Sequence, residues 1–293
     1  MSDETVTASR ADQASLASDA WLELRRNPLF VVSALLILVI AAMAIAPRLF
    51  TSGDLYDCDL SANFLRRPAP GHPFGFDVLG CDYYTRVIYG ARASVAIGLL
   101  TVGGAAIIAI VGGTLAGYYG GWVDTLLARI ADVWFAIPTI LGGIVILSAL
   151  QSRGILAVAL VLTVLGWPVM LRLMRSSVLA ATQADYVDAA RALGASDLRL
   201  MRRHILPNAI APVIVYATIS VGIIISAEAA LTFLGVGLQA PAISWGLQLS
   251  AAQDRLLQAP HLLLFPGLFL SVTIFSFILM GDALRDALDP RLR

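Results

Sequence analysis

Residues Ala93 to Gly117 read ASVAIGLLTVGGAAIIAIVGGTLAG, 25 positions without a charged side chain. A bilayer core of about 30 Å needs about 20 helical residues at ~1.5 Å each, and this run is longer than that. Backbone groups in lipid must bond within their own segment, so so long and continuous a run is a helix, not one of the alternating ten-residue strands of a barrel. Five further uncharged stretches flank it: Leu29–Ala46, a third between Asp132 and Arg153, a fourth between Arg153 and Arg172, a fifth from Ile210 to about Leu234 interrupted by Glu228, and a sixth from Leu262 to Gly281. The expected fold is an all-α membrane protein with six transmembrane helices.

Composition points to the same solvent. Of 293 residues, 58% are hydrophobic and only 14% charged, where a soluble domain carries nearer one quarter charged. Mean hydropathy is +0.81, more apolar surface than one globular core can hide beneath a polar exterior. Twenty basic residues balance twenty acidic ones, so no basic excess exists to neutralise phosphates, and nucleic acid is excluded as a partner. A disordered chain, charge-rich and apolar-poor, is excluded as well. Every basic residue is arginine. The chain therefore has neither a P-loop lysine nor a Schiff-base lysine.

Arginine placement sets the expected orientation, because cytoplasmic segments retain positive charge. With the amino terminus inside, thirteen arginines face the cytoplasm against seven outside, and five of those seven (Arg48, Arg66, Arg67, Arg86, Arg92) share one long loop after the first helix. Both termini are thus expected in the cytoplasm. A rival reading takes Arg25, Arg26 and the apolar run ending Ala44-Ile45-Ala46 as a secretory signal, but about 18 apolar residues exceed the usual limit of roughly 15 for a signal core.

The chain divides into a cytoplasmic tail (1–28), the first transmembrane helix with an extracytoplasmic loop (29–92), a core of five transmembrane helices with a charged inner loop at 182–208 (93–281), and a cytoplasmic carboxy-terminal tail (282–293). Residues 1–20, rich in Ala, Ser, Thr and Asp, read as a disordered tail leading to an interfacial segment at Trp21–Arg26. The outer loop begins irregular around Pro47, Pro68, Pro70 and Pro73, and Tyr83–Ala91 reads as an amphipathic helix feeding the second span. Cys58 and Cys81 both fall in this loop on the oxidising side. A disulfide there would close about two dozen residues and add on the order of 3 kcal/mol; the alternative is two free thiols, because sequence does not fix the separation of their Cα atoms.

Catalytic patterns are missing. His72, His204 and His261 lie on three loops, two outside and one inside, so they gather no metal, and no H-E-x-x-H or G-x-S-x-G occurs. An intramembrane protease needs a nucleophile and base or paired acids, whereas Glu228 is the one plainly intramembrane acid. A lone carboxylate facing lipid is costly, so Glu228 is expected to face the bundle or the translocation path near the outer gate, bonded to a backbone or hydroxyl group, either joining helices or touching substrate.

The charged inner loop is about 35 residues long, where connectors in helix bundles take two to eight. It reads TQADYVDAARALGASD from Thr182 to Asp197 and continues to His204-Ile205-Leu206-Pro207-Asn208. Thr182 with Asp185 resembles a capping box, Val187, Ala190 and Leu193 recur at helical spacing, and Gly194 suits the left-handed residue past a helix end. Ser196 can cap a second short helix that exposes Arg199, Arg202 and Arg203 and ends at Pro207. Two short helices about a glycine bend make a stiff protrusion suited to docking another protein.

The loop resembles a known family. Asp188-Ala189-Ala190, three residues, Gly194, nine residues, His204, one residue and Leu206-Pro207 are similar to the E-A-A-x3-G-x9-I-x-L-P loop of ABC-importer permeases. Asp188 replaces Glu, and His204 replaces Ile in the form usual for the peptide and nickel importer branch. Three more stretches resemble the C-type permease of dipeptide and oligopeptide importers. HPFGFDVLGCD (His72–Asp82) is similar to H-x-x-G-T-D-x-x-G-R-D, with Phe76 for Thr and Cys81 for Arg. AEAALTFLGVG (Ala227–Gly237) is similar to A-E-A-S-L-S-F-L-G-x-G, and GDALRDALDP (Gly281–Pro290) to the family's ending.

The resemblance implies a type I ABC importer permease fold in a bacterial cytoplasmic (inner) membrane. Its implied partners are a second permease forming a heterodimeric pore, two ATPase subunits that bind ATP and Mg, and an extracytoplasmic solute-binding protein. It assigns ATPase coupling to Asp185, Asp188, Ala189, Ala190, Arg191, Gly194, His204, Leu206 and Pro207. No cofactor is implied in this chain, and the implied cargo is di- or oligopeptide, with nickel chelate, glutathione or haem as alternatives within the family. An ion-driven secondary transporter would show paired intramembrane acids or broken helices in matched halves, against one unpaired Glu here. A membrane scaffold without transport would not need a second span rich in Gly98, Gly103, Gly104, Gly112, Gly113 and Gly117, residues that permit close packing and rearrangement.

Overall fold

The computed structural model describes residues 21–151 and 153–288, so the reading of residues 1–20 as a disordered tail, and Asp289 and Pro290 of the carboxy-terminal motif, lie outside it. Trp21–Arg26 is helical, and Leu24 packs on Ala283 and Ala287 of the last helix. Helix α1 (Pro28–Ile45) starts where Asn27 caps it, its side-chain oxygen accepting from the N–H of Leu29 and Phe30, with Pro28 in the first turn.

Helix α2 (Tyr83–Tyr119) has 37 residues and begins ten residues before the uncharged run. The stretch expected as a separate feeder helix is continuous with the span. Asp82 caps the start through bonds from Thr85 N (2.9 Å) and Thr85 Oγ1 (2.7 Å), and the two arginines inside the helix are both satisfied locally. Arg86 pairs with Asp77 at 2.6 Å, and Arg92 donates to the terminal carbonyls Ala44 and Ile45 of α1. At ~1.5 Å per residue this helix is about 55 Å long, so it projects well beyond a bilayer core.

The third uncharged run departs from its expected form. It holds only the last residues of α3 (Gly121–Phe135), a helix that carries Asp124, Arg129 and Asp132, followed by α4 (Thr139–Ala149), the two bent by 83° at the break. Pro138 has no N–H to continue the first helix and biases Ile137 away from helical backbone, so α4 starts anew. Among the described residues, five helices are long and apolar enough to cross a membrane, or six if the bent pair is one span. Helix α5 (Ile155–Thr182) carries Pro168, α7 (Ala211–Phe233) follows the charged loop, and α8 (Trp245–Ala252) and α9 (His261–Leu288) complete the bundle. Helix α9 continues seven residues past Gly281, so 282–288 belongs to the helix and not to a free tail.

The most intimate packing joins α2 and α5. A Cβ on Gly113 would lie 2.6 Å from Met174 Cβ and 2.9 Å from the Leu171 carbonyl oxygen, so the two backbones touch there as a small-residue seam allows. At the end of the bundle holding residues 46–82, Cys58 and Cys81 form a disulfide, separated by 23 positions. The loop also rests on the helices: Phe74 stacks on Phe265 with ring centroids 3.8 Å apart, and Tyr83 Oη donates to the Leu262 carbonyl at 2.6 Å.

Candidate functional site

At the opposite end, residues 183–210 form the charged loop, shorter than expected because α5 runs on to Thr182. The expected capping box does not form. Thr182 closes α5, its hydroxyl donating to the Leu179 carbonyl at 2.8 Å, and Ala184 occupies the N-cap of α6 (Asp185–Ala192) without a side-chain bond. Asp185 and Asp188 lie in the first turn, where the helix dipole favours negative charge. Gly194 has φ +83°, with Ala195 N–H bonded to the Ala190 carbonyl and Gly194 N–H to that of Arg191. This is the six-to-one and five-to-two bond pair of a Schellman end, so Gly194 takes the left-handed role expected of it.

Val187 is fully buried among Met174, Val178, Leu200, Ile205 and Val213, and Ala190 packs against that cluster. Leu193 does not join them and is 89% exposed. It lies six residues beyond Val187, about 120° away around the helix axis, and past the last helical residue. Tyr186 and Leu198 are exposed as well, so the loop presents three large apolar side chains to solvent among the exposed Asp188, Arg191 and Arg199. The exposure of Tyr186 and Leu198 is not legible in the sequence, because it depends on Val187 and Leu200 turning into the bundle beside them. Asp188 pairs with Arg191 at 3.1 Å on the solvent side, an exposed i,i+3 bridge of small energetic weight.

Two other expectations for the loop are corrected. Ser196 stands at the N-cap of the Asp197–Arg199 turn but its side chain makes no capping bond. Pro207 does not end that helix: Leu200–Ile205 is π-helical and passes into Leu206–Ala209, with Pro207 in the first turn. A proline lacks the N–H and crowds the carbonyl four residues back, and the wider π turn just before it relieves that crowding. Arg202 and Arg203 are exposed, His204 is half-buried, and Asn208 Nδ2 donates to the His204 carbonyl.

Three contacts tie the loop end to the bundle. Tyr118, near the end of α2, donates to Asp197 Oδ1 at 2.6 Å. Arg175 of α5 pairs bidentately with Asp124 of α3, and Arg172 pairs with Asp132 at 2.6 Å while lying 3.8 Å over the Phe135 ring. These pairs clamp the first half of the bent span to the helix that feeds the loop. Sequence alone does not select them, because each partner is 40 or more positions away.

Glu228 is fully buried near the end of α7, accepting from Thr232 Oγ1 at 2.9 Å and from Ser94 and Ser244 Oγ at 3.4 Å. Ser94 in turn accepts from the backbone N–H of Trp245. One carboxylate therefore joins α7, α2 and α8. An uncharged cavity of about 560 Å³ opens between α2, the α3–α4 bend, α5 and α7, lined by Thr101, Trp134, Pro138, Gly166 and Ser220 among others. Ala227 and Ala230 line it, whereas Glu228 points into the protein behind them.

The histidines stay apart as ligands: His72 Nδ1 sits 2.9 Å from Asp82 Oδ1, His261 Nε2 lies 3.3 Å from the Phe76 carbonyl, and His204 is at the other end. Among the described residues no three His, Cys, Asp or Glu side chains converge on a metal position. In the disulfide-tied loop of residues 46–82, here called the cap loop, the Ser61 hydroxyl, aided by the Ala62 and Ser61 N–H groups, holds the Asp59 carboxyl below its usual range.

A spanning bundle with a stiff charged loop at one end and a disulfide-tied loop at the other has close relatives. Residues 109–293 match the family described as the binding-protein-dependent transport system inner membrane component, and residues 15–68 match the N-terminal transmembrane domain of oligopeptide transport permease C. The chain is 39% identical to the dipeptide transport system permease protein DppC of Alkalihalophilus pseudofirmus over 94% of its own length and 90% of the relative's. It is 38% identical to the oligopeptide transport system permease protein OppC of Bacillus subtilis, covering 95% and 91% of the two chains. Identity to the glutathione transport system permease protein GsiD of Escherichia coli is also 38%, covering 93% and 90%. Matched over most of its length, with its loop and spans in the order such a subunit requires, this chain belongs to the inner-membrane permease components of binding-protein-dependent transport systems.

Proposed function

We propose that this chain is one of two permease subunits of an ATP-driven importer for di- or oligopeptides, with both termini and the α6 loop in the cytoplasm. The observation carrying this reading is the build of the loop: Val187 anchors α6 to the ends of α5 and α7, while Tyr186, Leu193 and Leu198 stand out in solvent. Exposed apolar side chains on a rigid, anchored loop form a surface waiting for a groove, and an ATPase subunit offers the partner a transporter without a P-loop needs. The residues proposed for coupling are Asp185, Asp188, Ala189, Ala190, Arg191, Gly194, His204, Leu206 and Pro207. Ala189 and Ala190 permit close backbone approach, and Asp188 and Arg191 offer charge.

The carboxylate of Glu228 serves to hold α2, α7 and α8 together at the outer end; this role is supported by its three hydroxyl partners and its place behind the cavity wall. Peptide cargo is favoured by the names of the relatives, glutathione itself being a tripeptide. The cap loop, tied by Cys58 and Cys81, meets the binding protein.

Purifying the tagged chain from its native membrane tests this. An ATPase and a second permease should copurify, and the complex in liposomes should import labelled peptide only with its binding protein and ATP. The purified chain by itself should hydrolyse no ATP; turnover without partners ends the reading.

A further inference from the structure

Helix α3 is a short rod between two pivots. It starts at Gly120–Gly121, with φ of +60° and +54°, backbone that favours glycine, and a Cβ on either would meet nothing within 4 Å. It ends at the break before Pro138, where the chain turns by 83°. Hinges in moving proteins are element-terminal positions of this kind. Between the pivots its apolar hold on the bundle is slight: Ala131 alone of its fifteen residues is buried, with Ile130 and Trp134 half-buried against the core.

Much of what attaches α3 to α5 is polar. Arg175 holds Asp124 bidentately, and Arg172 holds Asp132 at 2.6 Å while its guanidinium lies 3.8 Å over the Phe135 ring. The two acids are eight residues apart, about 12 Å along the axis at ~1.5 Å per residue, and both arginines belong to α5. One tie would let α3 swing, whereas two ties spaced along it fix its direction. Asp132 also meets Arg129 at 3.6 Å, but that pair lies within α3 and crosses nothing. On the α5 side, Met174 and Val178, to either side of Arg175, pack in one cluster with Val187, Leu200 and Ile205 of the charged loop, so the arginines sit at the loop's base. On the α3 side, Trp134, Phe135, Ile137, Pro138 and Thr139 line the cavity of about 560 Å³.

Resting on the importer reading, we propose that Asp124, Asp132, Arg172 and Arg175 are positioning residues of the transport step: they make α3 follow α5, so that a shift of the charged loop moves the cavity wall at the α3–α4 bend. The ties act on coupling and not on ATP hydrolysis, which belongs to the partner subunits. Without them α3 swings about Gly120–Gly121, and the wall no longer keeps step with the loop.

The test uses the complete importer in liposomes with its binding protein and reads trialanine imported per ATP hydrolysed. The double variant Asp124→Asn/Asp132→Asn keeps both side-chain shapes and removes both charges. Its binding-protein-stimulated ATP turnover should stay within about 2-fold of wild type while uptake per ATP falls on the order of 10-fold, the combined worth of two partly exposed ion pairs. A merely structural role would lower assembly, turnover and uptake together and leave uptake per ATP unchanged. Uptake per ATP equal to wild type in the Asn variant, or an equal fall in Arg129→Gln, overturns this inference and leaves the importer reading standing. No uptake of trialanine by wild type overturns the peptide-importer reading and this inference with it. Should the Asn variant fail to assemble, Asp132→Cys/Arg172→Cys decides, since it keeps the Asp124 pair. Joining its two thiols with a short bifunctional thiol reagent should raise uptake per ATP above that of the same sample unlinked, because α3 and α5 move as one. If α3 instead moves against α5, the link abolishes uptake; that result, or no gain, overturns the inference.

Discussion

Gly194→Val isolates the contribution of backbone geometry to coupling. Gly194 sits at φ +83°, and a Cβ built on it would meet nothing within 4 Å. Any penalty inside the chain is therefore conformational, not steric. Placing an L side chain in left-handed backbone costs roughly 1 to 2 kcal/mol, more for a β-branched residue. At about 1.4 kcal/mol per tenfold, the native turn loses a factor on the order of 5 to 30 against competing turns, and α6 is misaimed in that fraction of molecules. Asn tolerates this region, so Gly194→Asn should lose least, Gly194→Ala more and Gly194→Val most. The assay is peptide uptake by the importer in liposomes, alongside ATPase stimulation by the binding protein and complex size by gel filtration. Uptake and stimulation should fall in that order while membrane insertion is unchanged. Wild-type uptake by Gly194→Val would refute the coupling assignment. Equal loss for Asn and Val would show that side-chain bulk against the partner, not the turn, is the cause.

Glu228→Ala strips three buried hydroxyls of their shared acceptor and should lower stability by about 2–3 kcal/mol in a detergent melt, whereas Glu228→Gln keeps an acceptor oxygen and should lose less; identical melting of Ala and wild type would remove the clamp role. Cys58→Ser should make residues 46–82 markedly more sensitive to limited proteolysis, consistent with about 3 kcal/mol of loop closure. If reductant leaves the wild-type digestion rate unchanged, the bridge does not hold this loop in the native membrane. Gly113→Val pushes a side chain into the Leu171 carbonyl and Met174 and should destabilise by about 1–3 kcal/mol, while Gly103→Val, with open space around it, should be silent. Equal melting temperatures for those two variants would contradict the α2–α5 seam.

The sequence by itself determined the membrane class, the helices and their order, because an uncharged run of twenty residues has one low-energy state in lipid whatever its neighbours do. It also determined Gly194, since a φ that only glycine adopts cheaply is a local property. The spacing of the loop's motif carried the family in the same way. What it missed was set by contacts distant in sequence or by direction in space. Pro138 announces a break, but neither the 83° between α3 and α4 nor the pairing of Asp124 and Asp132 with arginines of α5 is written locally. Leu193 looked like a third member of a buried face, but it lies about 120° round the axis from Val187 and past the end of α6, and it stands in solvent. Thr182 looked like a cap until α5 claimed it as a last turn. Only the tertiary structure could place Ser94, Thr232 and Ser244 around Glu228. Hydrogen bonds across the bundle depend on helix rotation and offset, and apolar runs of this kind leave both unspecified until the helices pack.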